Sequence, residues 1–166
     1  PATIHFAADN ILEASQKAPH FEPKFIFYKT DKWKNLDKDS KGAFEFFIKK
    51  FKKNIEVFDV PAYFKDIPRN HQIIHETDLA NNFQAYYKKD KKKLSKEMRD
   101  AVERGLKHSA YDYANAIDFM EQSYQSYKEV FEDYHGVLSP SSAGVAPKGL
   151  RSTGSPEFCT IWTYMG

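Results

Sequence analysis

His71 and His75 stand four residues apart with Glu76 beside them, so on one helical face both imidazoles can approach a single divalent ion. The order is His-x-x-x-His-Glu rather than His-Glu-x-x-His, and no cysteine or second histidine pair supports it. These histidines read as surface or capping groups, and no metal ligand is assigned. Cys159 is the single cysteine, and within an apolar helical pattern it reads as a small core residue rather than a nucleophile. The run Lys88–Lys93, KKDKKK, can engage phosphate, but it lacks the interleaved aromatics or glycines of a common nucleic-acid module and reads as a solvated turn. The chain shows no glycine-rich phosphate loop, no Gly-x-Ser-x-Gly elbow and no paired-carboxylate motif, so no cofactor is expected.

The elements that must position these groups follow from composition and period. A chain of 166 residues suits one domain with one sizeable core. Its 14 Phe, 10 Tyr and 2 Trp mean that much of this core is rings. A formal charge of +2 implies neither a nucleic-acid nor a membrane partner. Without a disulfide pair, a signal-peptide pattern or a long apolar run, the expected compartment is reducing and cytoplasmic.

The first half predicts a short helix over Ala7–Lys17, a buried strand over Lys24–Tyr28, and a polar loop around Trp33. An amphipathic helix follows over Asp39–Lys52, with Ala43, Phe44, Phe47, Ile48 and Phe51 on its apolar side. Ile55–Val60 alternates as a second strand closed by Pro61. Strand, helix, strand is the order of a parallel α/β unit.

Three consecutive helices then follow. The first spans Pro68–Lys89, with Ile74, Leu79, Phe83 and Tyr86 for a buried face. The second starts at Ser95 as N-cap and weakens at Gly105. The third opens on a capping box of Ser109 and Asp112 and carries an aromatic seam through Tyr113, Ile117, Met120, Tyr124, Tyr127, Phe131 and Tyr134. Val137-Leu138 begins a short strand, and Ser139–Gly154 forms a loop rich in Ser, Pro, Gly and Ala. The expected fold class is α/β: a helix-rich unit with a few strands of a mixed sheet.

The closing stretch SPSSAGVAPKGLRSTGSPEFCTIWTYMG resembles the later part of the amidase signature family, and the resemblance extends over most of Lys24–Gly166. It is most specific at Pro147-Lys-Gly-Leu150, Ser152-Thr-Gly154, Phe158 and Trp162-Thr163, while Ser155 and Cys159 stand where the family commonly has an acidic residue and Asn. The resemblance implies a parent hydrolase acting on carboxamide C–N bonds through two serines and a lysine. Those residues belong to an upstream segment, and Ser139-Pro-Ser-Ser142 lacks its glycine-rich framing.

The expectation is therefore a single incomplete amidase-like domain over residues 1–166, cut at both ends and inactive alone. In the parent, Ser152, Thr153, Gly154, Phe158 and Trp162 would border the channel for a small-molecule amide substrate. The isolated chain would self-associate through uncovered strand edges. The alternative expectation is a non-catalytic helical module that binds a protein partner through its aromatic helix.

Overall fold

The computed structural model describes Leu12, Gln16, Lys17 and residues 21–166. The helix expected at Ala7–Lys17 therefore falls almost entirely outside the described residues. Strand β1 (Phe25–Lys29), helix α1 (Lys38–Lys50) and strand β2 (Ile55–Asp59) come first. Helices α2 (Ile67–Asp90), α3 (Lys96–Gly105), α4 (Ala110–Lys128) and α5 (Val130–Asp133) follow, then strand β3 (Gly136–Leu138) and helix α6 (Thr160–Met165).

The strands form a sheet in the order β2-β1-β3. Both pairings are parallel, Phe27 standing opposite Val57 on one side and Leu138 on the other. The expected mixed sheet is thus wholly parallel among the described residues. Each connection carries helix, as a crossover between parallel strands requires. Beside the sheet, His135 N donates to the Lys24 carbonyl at 2.8 Å and Lys24 N donates back to His135 Nδ1 at 3.1 Å. This clasp fixes the register of β3 on β1.

Successive residues of β1 point to opposite faces of the sheet. Phe27 packs at 5.6 Å against both Trp33 and Phe44 on the α1 side. On the other face Tyr28 meets Phe64, Tyr127 and Trp162. That second layer is the main core: Phe64, Ile67, Ile161, Tyr164 and Met165 are buried together, with Phe119, Met120 and Tyr127 against them. Tyr164 seals it by donating from its hydroxyl to the Ala116 carbonyl at 2.6 Å.

The apolar side of α1 is covered less than its period predicts. No residue of α1 is fully buried, and Phe46, Phe47 and Phe51 are exposed alongside Val57 and Phe58 of β2. Periodicity reports an apolar stripe; it does not supply the layer that covers it. The start of α1 is nonetheless well fixed, because the Asp37 carboxylate accepts from Ser40 N at 2.7 Å and Asp37 N donates to Ala143 O at 2.8 Å. The Ser/Pro/Gly loop thereby docks on the first βα unit.

The buried stripe of α2 differs from the expected one. Ile67, Ile73, Glu76 and Ala80 are buried, whereas Ile74, Leu79 and Phe83 are half-buried and Tyr86 is exposed. The cause is the close approach of α3. A Cβ on Gly105 would collide with the Glu76 carbonyl and with Ala80 Cβ. Gly105 is therefore a packing residue, and Gly105→Ala is expected to destabilise the fold by about 1–3 kcal/mol in urea unfolding. An unchanged midpoint would show that α2 and α3 do not meet there.

The caps behave as expected. Ser95 Oγ accepts from Met98 N at 3.2 Å, and Ser109 and Asp112 form a reciprocal capping box. The long third helix divides at Glu129, whose backbone stays helical at φ −59° and ψ −28°. No helix among the described residues is long and apolar enough to cross a membrane.

Candidate functional site

Helices α4 and α5, strand β3 and helix α6 enclose an open cavity of about 600 Å³. Tyr127, Lys128 and Phe131 line it from the helices, Val137 and Leu138 from the strand, and Trp162 and Met165 from α6, with the Tyr127 and Trp162 rings packed 5.9 Å apart. Burial pushes the Tyr127 hydroxyl well above the ordinary phenol range, so this ring stays uncharged. The indole Nε1–H of Trp162 is buried with no hydrogen-bond partner among the described residues.

Of the five residues expected to border a substrate channel, Trp162 alone is in the lining of this cavity. Phe158 is buried immediately before α6. Ser152, Thr153 and Gly154 lie in an exposed turn. Ser152 Oγ accepts from Gly154 N at 3.1 Å, and Gly154 has φ +93°, which favours glycine there. Tyr127, Phe131, Val137, Leu138 and Met165 were not marked as site residues by the sequence. Their aromatic and β-branched types were visible, but nothing local says that they face one space.

The other chemical candidates are also placed. His71 and His75 stack with centroids 5.7 Å apart, and burial followed by the neighbouring His75 charge holds the His71 imidazole below its usual range. Glu76 does not join them. Its Oε1 accepts from Arg104 Nε at 2.6 Å and Gln72 Nε2 at 2.9 Å, and its Oε2 lies 2.9 Å from His108 Nε2. Among the described residues no group of three or more His, Cys, Asp and Glu is placed to hold a metal ion.

Cys159 corrects an expectation. It is exposed rather than in the core, because it precedes the first turn of α6 and lies off the buried stripe. Its Sγ donates to the Ser141 carbonyl at 3.1 Å. Ser142 Oγ donates to the Gly144 carbonyl at 2.9 Å, and Ser139 Oγ to the Pro140 carbonyl at 3.4 Å. These loop hydroxyls are engaged with backbone, not with a base. The lysine run forms a short 3₁₀ turn at Lys91–Lys93, where Asp90 accepts from Lys92 N at 3.3 Å and lies 3.7 Å from Lys93 Nζ.

Fold and cavity define a helix-flanked parallel α/β unit, and this architecture has a solved counterpart. The chain superposes on a crystal structure of an amidase with a TM-score of 0.71 and 16% sequence identity over 90% of its length. It spans 38% of the length of that amidase. No protein-family model matches the chain, and no curated protein sequence matches it. At this identity the likeness is one of fold.

Proposed function

We propose that this chain is the late portion of an amidase-like hydrolase acting on carboxamide C–N bonds, where it contributes scaffold and one wall of the substrate channel. The observation that carries this reading is the fold likeness to an amidase over 90% of the chain. The resemblance at Pro147–Leu150, Ser152–Gly154, Phe158 and Trp162-Thr163 supports it in sequence.

Amide hydrolysis through a serine needs a hydroxyl hydrogen-bonded to a base and donors for the oxyanion. Ser139 and Ser142 instead donate to backbone carbonyls. The chain therefore acts only together with the rest of such a domain. Purified alone, it is expected to release no ammonia from simple carboxamides and to form no acyl adduct detectable by mass spectrometry. Turnover with a mapped acyl-serine or acyl-cysteine would overturn the claim of inactivity. The amidase reading itself is tested upstream, where the parent coding sequence is expected to carry a lysine and a Gly/Ser-rich segment. A parent without them would instead favour a binding module.

A further inference from the structure

The carboxyl ends of the parallel neighbours β1 and β3 each feed a loop, residues 30–37 after β1 and residues 139–159 after β3. From β1 the chain goes first to β2 on one side and later to β3 on the other. α1 packs on the Phe27 face, whereas α4 and α6 pack on the Tyr28 face. Open parallel sheets take their ligands in the crevice outside the strand ends where the chain reverses in this way.

Two ties bridge the loops here. Asp37 N donates to the Ala143 carbonyl at 2.8 Å, and the Asp37 carboxylate, which caps α1 by accepting from Ser40 N at 2.7 Å, also accepts from the backbone N–H of Val145. A Cβ on Gly144 would run into Asp37 Oδ2, so the approach requires glycine. At the far end of the second loop, Asn35 Nδ2 donates to Glu157 Oε2 at 2.7 Å. Between the ties, Gly149 and Gly154 both have φ +93°, a conformation that favours glycine. They bracket four exposed residues, Leu150, Arg151, Ser152 and Thr153. Ser152 Oγ accepts from Gly154 N, which leaves its O–H to donate to an amide oxygen.

We propose that Asp37 is a positioning residue, which holds residues 149–154 as a flap at the mouth of this crevice, where a small carboxamide enters. The substrate in this statement rests on the amidase reading; the latch rests only on the contacts between the two loops.

The latch is tested in this chain by hydrogen exchange at two amides. Asp37→Asn keeps the cap, since asparagine caps a helix as well as aspartate does, but its single side-chain carbonyl cannot serve both Ser40 N and Val145 N. The amide of residue 37, bonded to Ala143, is expected to exchange roughly tenfold faster while that of Ser40 keeps its protection. Gly144→Ala attacks the same contact from the other loop and is expected to give the same result. Unchanged protection at residue 37 in both variants overturns the latch. So does equal loss at residues 37 and 40, which is fraying of α1. In the complete enzyme, Asp37→Asn is expected to raise KM for short carboxamides several-fold with kcat preserved. A fall in kcat at unchanged KM, or no change in either, overturns the placement of the flap at the entrance. A complete wild-type protein that turns over no carboxamide overturns the amidase reading instead, while the two amides still decide the latch.

Discussion

Replacing Phe27 by alanine is expected to lower the unfolding free energy by about 3–5 kcal/mol, the range for a large ring removed from a packed core. Phe27 is 1% exposed and sits on the central strand, in contact with both Trp33 and Phe44. Those two rings also touch each other, at 6.2 Å. Collapse into the space left by Phe27 is limited, because Trp33 and Phe44 are anchored on the connection and on α1 rather than on a mobile loop. On this face of the sheet α1 buries no residue fully, so little other burial offsets the loss. Phe27→Leu, which keeps most of the volume, is expected to cost less than about 1.5 kcal/mol. Urea unfolding of the three proteins measures both. A Phe27→Ala loss below that of the leucine variant would show that the α1 layer contributes nothing to stability.

The second large effect is expected at Glu76. Breaking a buried ion pair by removing one partner usually costs about 3–5 kcal/mol, because the other charge is stranded in a poor solvent. Here the side chain of Glu76 is 4% exposed but that of Arg104 is 51% exposed, so water can take over the guanidinium. Glu76→Ala is accordingly expected to cost about 2–3 kcal/mol, or roughly 5–10 °C in melting temperature for a chain of this size.

The same carboxylate sets a pH dependence. Burial raises its pKa, but hydrogen bonds from Gln72, His108 and Arg104 together with the Arg104 charge outweigh that, and the carboxyl ends below its ordinary value of 4.5. A depressed folded-state pKa adds stability that is fully present above the unfolded value and is lost as pH falls through the folded one. Wild-type stability is expected to fall from about pH 4.5 downward, and Glu76→Gln to fall less steeply. Parallel curves for the two proteins would remove Glu76 from the account.

The elements that carry their own signals were legible in the sequence. The strand after Pro23, the capping box at Ser109 and Asp112, and the Ser95 cap depend on neighbours within a few residues. What could not be read depends on partners far away. Glu76 follows His75 in sequence, yet its carboxylate turns to Arg104 and His108, which are 28 and 32 residues distant. The buried stripe of α2 rotates because Gly105 lets another backbone approach, and a glycine in a helical run announces only weakness. For the cavity, the aromatic and β-branched residues that line it beside Trp162 were visible as types, but their convergence on one space was not. Phe158 carries the same aromatic signal and went to the core.

The clasp between Lys24 and His135 joins residues 111 positions apart. Its consequence concerns the order in which the chain is made. β1 finds β2 across a single short crossover, but its other edge waits until everything from Asp59 to Gly136 has been synthesised. At ordinary translation rates that interval is on the order of 5–15 s. Throughout it the central strand, FIFYK, has one bare edge and lacks the helical layer for its Tyr28 face. Apolar strands left open for seconds are prone to pair with whatever is near. The nascent chain therefore carries an aggregation hazard at this strand, and its β3 edge is paired only when His135 reaches Lys24.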